Sequence, residues 1–444
     1  MKQFSQRSIT RKQSNLVWLV SPPTIVAVAF LMLVLSICLS PDAYEIAAKE
    51  HDYMREDAPL LLKFYGAICL SFLVGYFATV LASRFVPKLA IFDNPRVSAG
   101  KSSYLIPIFL GILLNLVSLA ILIKNSPGVL GLIASGAGQK AKSAIDTTGG
   151  LSQAQPMLIG LVWWGMARHM AKFPTKRMPG ATLSFIIVFS AFALSCTISL
   201  VKLARYELMP LFLGCFTIYI LYAAKQGRAN LAGLLLKSLG VTVLIVMVFA
   251  GMSALRGAKN SSEIVSTIIG YGPAAYNHLA VLLENHLTFP DSGHGLYAFA
   301  FTHSIPGLHK FSGSDDLVSA FKSEFDATRA SGLNANYIWV TAPGYYYADL
   351  HKAVYPFMAV MGGLSAVFWL EALKGRSLGL VMHPFTMGTI LMWFSSGQFT
   401  RPDLTTLLGL CLVLTVFSFV FDSKPANQQR RPQRRSSRQT VNAD

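Results

Sequence analysis

The chain has 444 residues, of which 53% are hydrophobic and only 13% are charged, and its mean hydropathy is +0.49. Soluble domains carry about 25% charged residues, so this composition excludes a soluble globular protein and indicates an integral membrane protein. The formal net charge is +17, and its meaning depends on the side of the membrane that each cation occupies.

Ten apolar runs have about the length that a helix needs to cross a hydrocarbon core of about 30 Å. They cover residues 17–40, 60–82, 103–123, 156–171, 181–201, 208–223, 231–252, 353–373, 380–397 and 404–421. The sequence therefore predicts an all-α fold, a polytopic membrane bundle of about ten transmembrane helices with one long extracytoplasmic loop.

The chain divides into five predicted parts. These are a basic cytoplasmic N-terminus at 1–16, seven helices within 17–252, an extracytoplasmic lid at 253–352, three helices within 353–422 and a disordered basic cytoplasmic tail at 423–444. The lid contains one short apolar helix candidate, Ile264–Leu283. The first apolar run is expected to stay as an anchor, because no small-residue cleavage site follows it. The tail is expected to lie near anionic headgroups, with nucleic-acid binding as the alternative.

The orientation follows from the Lys and Arg residues of the short loops, which accumulate on the cytoplasmic side of membrane proteins. The basic loops after the second, fourth, sixth and eighth spans fall on the same side as both termini, so that side is predicted to be cytoplasmic. All but four of the 21 acidic residues then lie outside. The exceptions are Asp93, Glu371, Asp422 and Asp444.

Several cations nevertheless lie near the predicted outer ends of the spans, against the topological trend. They are Lys202, Arg205, Arg256, Lys259 and Arg401. Arginine binds phosphate oxygens through two parallel hydrogen bonds and stays charged at any relevant pH. A convergence of Arg205, Arg256 and Arg401, with Lys202 beside them, is therefore predicted to bind a diphosphate without a metal. The alternative is that each arginine extends alone to the lipid headgroups.

A second candidate region is the aromatic stretch 331–357, which leads into the eighth span. Flat aromatic faces can pack on sugar rings while amides bind hydroxyls, and the candidate sugar-binding residues are Asn336, Tyr337, Tyr347 and Tyr271. An interfacial aromatic belt is the alternative. Asp349 and then Glu207 are the candidate general bases; Glu207 and Asp403 are alternatively ion-pair partners of the nearby arginines. Neither a cofactor nor a metal is expected, because the histidines are scattered and each cysteine falls in an apolar run.

Three local patterns resemble the Wzy-type oligosaccharide repeat unit polymerases of O-antigen and exopolysaccharide assembly. They are KLARYELMPLF, IIGYGPAAYNHL and NANYIWVTAPGYYYADLHKAVYPFMAVMGG. The last is similar to an aromatic stretch that ends in Asp-Phe-Gly before a glycine-containing span in family members. Asp349 matches the Asp, and Leu350 and His351 stand in place of the Phe and Gly.

The resemblance implies glycosyl transfer on the outer face of a bacterial cell inner membrane, with undecaprenyl-diphosphate-linked glycans as donor and acceptor. It assigns the diphosphate to the arginines and the acceptor proton to Asp349 or Glu207. The implied partners are these lipid-linked glycans, membrane lipids, and the chain-length regulator and flippase of the same pathway, with no nucleic acid. An O-antigen ligase of the same fold and a lipid-linked glycan transporter are the rival interpretations.

Overall fold

A computed structural model describes residues 15–85, 102–126, 154–173, 180–202, 205–228, 230–255, 270–289, 295–305, 317–335, 339–395 and 401–422, with a few isolated positions between them. Every regular element in these residues is helical. The α-helices are α1 (Pro22–Ile37), α2 (Pro41–Ala48), α3 (Tyr53–Glu56), α4 (Ala58–Phe85), α5 (Leu105–Asn125), α6 (Ala154–Lys172), α7 (Ala181–Val201), α8 (Arg205–Lys225), α9 (Leu231–Leu255), α10 (Pro273–Leu283), α11 (Leu317–Ala330), α12 (Thr341–Leu350), α13 (Val354–Lys374), α14 (Ser377–Leu391) and α15 (Pro402–Asp422). Short 3-10 helices cover Asn15–Val20, Ser102–Tyr104, Ala300–Ser304 and His351–Ala353.

Seven described stretches are long and apolar enough to cross a membrane. They are Ala58–Phe85, Leu105–Asn125, Ala181–Val201, Glu207–Lys225, Leu231–Leu255, Thr341–Lys374 and Pro402–Phe421. This is the architecture of a multi-pass membrane protein, and the all-helical prediction is confirmed. The predicted spans at 17–40, 156–171 and 380–397 correspond to α1, α6 and α14, which are helices outside this set of seven. The count of ten is therefore not confirmed.

The predicted lid at 253–352 is not confirmed as one long loop. Its described residues include α10, α11, α12 and the 3-10 helix Ala300–Ser304, and α12 belongs to the membrane-length stretch Thr341–Lys374. Helix α10 begins with Pro273 and packs against α1, α3, α4 and α12. Nearly all of its side chains are buried, so this part of the segment is integrated into the bundle.

Helix α14 lies at the centre of the bundle. This central position explains why so short an apolar helix can be stable. It packs against α1, α6, α8, α13 and α15, and 13 of its 15 residues are buried. Pro384 lies inside this helix and removes one backbone donor. The surrounding helices shield α14 from lipid, so its length need not match the hydrocarbon thickness.

Helices α4 and α13 form the closest helix pair because glycines face backbone across their interface. A methyl group on Gly75 would overlap the carbonyl oxygen of Ala359, and one on Gly362 would overlap that of Phe72. Small residues allow such close backbone approach between membrane helices, where packing is the main source of association energy. The pair positions α12, which precedes α13 through the 3-10 turn His351–Ala353.

One end of the bundle brings together the start of α6, the end of α7 and the start of α8, and we call it the acidic end. Gln155 near the start of α6 and Lys202 directly after α7 are hydrogen-bonded there. Helix α9 runs back along α8 after a short connection that begins with a turn at 226–227, so its last residue, Leu255, lies at the same end. Two of the candidate site residues, Lys202 and Glu207, form an ion pair at this end.

Candidate functional site

A ring of hydrogen bonds at the acidic end joins α6, α7 and α8. Lys202 Nζ donates to Gln155 Oε1 at 2.7 Å and to Glu207 Oε1 at 3.4 Å. Gln155 Nε2 donates to Ser199 Oγ at 2.5 Å, and Ser199 Oγ donates to Glu207 Oε2 at 3.4 Å. The side chains of Lys202 and Glu207 are 13% and 16% exposed. The ring therefore holds the ion pair of Lys202 and Glu207 in a mostly desolvated place.

Two charges from the start of α15 extend this ring. Asp403 lies in the first turn of α15, where a carboxylate interacts favourably with the helix dipole. Asp403 interacts electrostatically with both Arg401 and Lys202, and Glu207 interacts with Asp403. Two cations and two carboxylates from the end of α7 and the starts of α8 and α15 thus interact electrostatically, and we call them the charge cluster (Lys202, Glu207, Arg401 and Asp403).

The charge cluster borders a group of packed rings. Arg401 interacts electrostatically with Tyr345, whose hydroxyl is 3.2 Å from Glu324 Oε2. The ring of Tyr345 is 4.9 Å from that of Tyr297 and stacks on Phe289 with centroids 5.7 Å apart. Since Glu324 is on α11 and Tyr345 is on α12, this contact attaches α11 beside the cluster.

Asp349 lies near the end of α12 and is 7% exposed. Its Oδ2 accepts hydrogen bonds from the backbone N–H groups of Tyr297, at 2.6 Å, and Ala298, at 2.9 Å. A line of contacts therefore runs from Tyr345 through Tyr297 to Asp349. The carboxylate stabilises the backbone at 297–298, a function that the sequence did not suggest.

The residue two positions after Asp349 has an unusual backbone. His351 has φ 46 and ψ −124, a region that a side chain makes costly and that favours glycine. This is the position at which the polymerase pattern has its Gly. The local turn is thus one that Asp-Phe-Gly would form with less strain than Asp-Leu-His.

The candidate sugar-binding aromatics are only partly brought together. Tyr271 and Tyr337 meet edge to face with centroids 6.1 Å apart, and Tyr337 Oη donates to the carbonyl of Ser266 at 3.3 Å. Tyr347 instead packs edge-on against Phe64 of α4, 5.3 Å away. Asn336 and Arg256 lie outside the described residues, as do Lys259 and the tail. Arg205 is the first residue of α8, and its side chain is also outside the described part.

The structure reveals a buried polar network that the sequence analysis missed. Glu50 accepts hydrogen bonds from Tyr44, Asn277, His278 and the backbone of Asn334. Burial by itself raises the pKa of Glu50, but the hydrogen bond and charge of His278, with the bond from Tyr44, lower it below its usual value. The network ties the chain before α3 to α10 and to the stretch that carries Tyr337.

Burial also raises the pKa of Tyr44, and the neighbouring Glu50 carboxylate raises it further. One signal for this network was present in the sequence. Asn277 and His278 are adjacent polar residues in the otherwise apolar stretch PAAYNHLAVLL, and such residues in a buried helix need partners. Their partner could not be deduced, because Glu50 is 228 positions away from His278.

No three His, Cys, Asp or Glu residues in the described part of the chain are grouped as metal ligands. Comparison with protein families, with curated proteins and with solved structures finds no match to this chain.

Proposed function

We propose that this protein is a glycosyltransferase that joins polyprenyl-diphosphate-linked oligosaccharides into a polymer. The observation that carries the proposal is the charge cluster at the acidic end, where Lys202 and Arg401 both interact electrostatically with Asp403. The glycine-favouring backbone at His351, which follows the Asp of the polymerase pattern, also supports it. The undecaprenyl carrier, the bacterial inner membrane and the outward orientation of the acidic end are parts of the same proposal.

In the proposed reaction, a hydroxyl oxygen of the acceptor sugar attacks the anomeric carbon of the donor glycan. The bond from that carbon to the diphosphate breaks, and the diphosphate leaves with the electron pair. Cations already aimed at the developing negative charge lower the barrier more than they tighten substrate binding. Lys202 and Arg401, with Arg205 and Arg256 as further candidates, supply these cations.

The carboxylates of the charge cluster hold these cations in place before the substrate arrives. Glu207 holds Lys202, and Asp403 lies beside Arg401. A cluster with balanced charges avoids leaving cations buried and unpaired. On binding, the diphosphate oxygens replace part of the interaction that each cation makes with its carboxylate.

The acceptor hydroxyl proton goes to a carboxylate. In a single displacement the attacking oxygen and the leaving group lie on opposite sides of the anomeric carbon, so the base should be separate from the cations. Asp349, which accepts hydrogen bonds from the backbone N–H groups of Tyr297 and Ala298, is the favoured base. Glu207, which contacts Lys202 directly, is the less favoured base.

The test is reconstitution of the purified protein in liposomes with one defined undecaprenyl-diphosphate-linked repeat unit. We expect a ladder of products that differ by one repeat. Arg401→Ala should slow the extension about 10²-fold, the effect of removing one donor to a developing anion. Arg329→Ala is the matched control, because Arg329 is 71% exposed and pairs only weakly with Asp326. It should leave the ladder unchanged.

The same experiment separates the rival functions. Transfer of the glycan to an added lipid A core acceptor without a ladder would indicate a ligase. Movement of unextended lipid-linked glycan across the bilayer would indicate a transporter. Equal extension by the Arg401→Ala and Arg329→Ala proteins would remove the charge cluster from the reaction.

A further inference from the structure

A small cavity of about 10 Å³ lies inside the bundle, between α4, α12, α13 and α14. Four residues that carry a hydroxyl group line it, Tyr346, Ser365, Thr386 and Thr389, and the remaining wall consists of apolar and aromatic side chains. Ser365 is near the middle of α13, so the cavity is far from both ends of that helix. It is distinct from the charge cluster and is not used in the proposed reaction.

Two of the hydroxyl groups can only accept hydrogen bonds from a molecule in the cavity, because their own protons are already donated elsewhere. Ser365 Oγ donates its proton to the carbonyl of Met361 at 2.7 Å, and Thr386 Oγ1 donates to the carbonyl of Met382 at 2.8 Å. Each hydroxyl has one proton and two lone pairs. The lone pairs therefore remain for an occupant of the cavity.

Thr389 supplies the complementary group. It is 2% exposed, and its Oγ1 makes no hydrogen bond within the described part of the chain. A buried hydroxyl without a partner is costly, and in folded proteins such groups are nearly always satisfied by protein or by ordered water. Thr389 can donate into the cavity as well as accept from it.

We infer that this cavity is a binding site for one water molecule. Its volume matches a single water, which needs about 10–15 Å³ and two to four polar partners. The water donates to Ser365 and Thr386 and accepts from Thr389. A monovalent cation fits less well, because no carboxylate lines the cavity and a bare charge in this neutral cage would be poorly solvated. The water bridges α13 to α14 beneath α12.

The site can be tested by X-ray footprinting of the full protein in liposomes, in which hydroxyl radicals form directly from bound water. Met358 lines the cavity and Met387 does not. Both are 1% exposed, which makes Met387 the internal control. Thioethers are readily oxidised to sulfoxides. We expect Met358 to be oxidised several-fold faster than Met387, and equal slow rates would overturn the inference.

Two variants sharpen this test. Thr389→Val keeps the shape but removes the hydroxyl, and it should reduce the oxidation of Met358 to the rate of Met387. Thr217→Val is the matched control, since Thr217 is a buried α8 residue outside the cavity whose hydroxyl bonds the carbonyl of Leu213. Unchanged oxidation of Met358 in Thr389→Val would also overturn the inference. Failure of the glycan extension assay would not affect it.

Discussion

The carboxylate of Glu50 and the imidazole of His278 are hydrogen-bonded at 3.0 Å, and neither side chain is exposed. His278 is on α10, whereas Glu50 precedes α3, so the pair connects distant parts of the chain. The same carboxylate accepts the backbone N–H of Asn334 at 2.8 Å. The pair thereby holds together the segment before α3, helix α10 and the segment at Asn334.

The first prediction concerns Glu50→Gln. An amide in this place presents an N–H to groups that already donate, so we expect a loss of about 2 kcal/mol in the free energy of unfolding at neutral pH. Thermal unfolding in detergent micelles, followed by tryptophan fluorescence, measures it. Glu45→Gln is the control, because Glu45 is 48% exposed and its contact to His51 is 3.4 Å. It should change the stability little.

The stabilisation that Glu50 gives to the folded protein should decrease at acidic pH. The pKa of Glu50 is lower in the folded protein than its ordinary value of 4.5. Its stabilisation is therefore fully present above that ordinary value and is lost as the pH falls through the lower folded value. The difference in unfolding temperature between the wild type and Glu50→Gln should be constant near neutral pH and shrink below about pH 4.5. A difference that grows on acidification would contradict this assignment.

The second prediction separates the two functions of Asp349. Asp349→Ala leaves the N–H groups of Tyr297 and Ala298 without their acceptor, and we expect a loss of about 1–3 kcal/mol for each. Asp349→Asn retains one side-chain oxygen that can accept both N–H groups, so it should unfold close to the wild type. It should nevertheless lose glycan extension, because an amide cannot take the acceptor proton. A stable Asp349→Asn protein with wild-type extension would exclude Asp349 as the base.

The third prediction is that His351→Gly stabilises the protein. The positive φ of His351 costs a side-chain-bearing residue of order 1–3 kcal/mol, and glycine removes most of that while losing some unfolded-state entropy. A net gain of about 1 kcal/mol in the free energy of unfolding is expected. His351→Ala also loses the ring contact to Tyr347 but keeps the Cβ, so it should show no gain. If both variants change the stability equally, the backbone argument fails.

The fourth prediction tests the contact between α4 and α13. Gly362→Ala places a methyl group against the carbonyl of Phe72, and the helices must separate. We expect about 1–3 kcal/mol of destabilisation, as for other overpacked interiors. Gly240→Ala is the control, because a methyl there meets no other atom and alanine favours the helix. Destabilisation of both variants to the same degree would argue against a specific close contact.

The sequence predicted those features that depend on neighbouring residues. Hydropathy and length are local properties, so the helices that form the seven membrane-length stretches were located well. An ion pair was the alternative considered for Glu207, with an arginine as its partner, and the structure pairs it with Lys202 five residues earlier. Helix α14 was expected as a span at 380–397, but its burial on all sides depends on five other helices that no local pattern reveals.

The features that were missed depend on long-range contacts. Glu50 was counted only as one of several acidic residues in a loop, because nothing near it in sequence indicates burial. The two backbone N–H groups that Asp349 accepts are about fifty positions earlier. Such pairs become visible only when the helices are packed, since sequence spacing carries no information about them.

Helix α9 packs chiefly against α8, and only 6% of its most apolar window is buried inside the protein. Its 25 residues extend about 38 Å at 1.5 Å per residue, whereas a typical hydrocarbon core is about 30 Å thick. The helix must therefore tilt, or the surrounding lipids must stretch, and the balance shifts with acyl-chain length. Since the last residue of α9 lies at the same end of the bundle as the charge cluster, the thickness of the membrane would act on that end without any change in the protein.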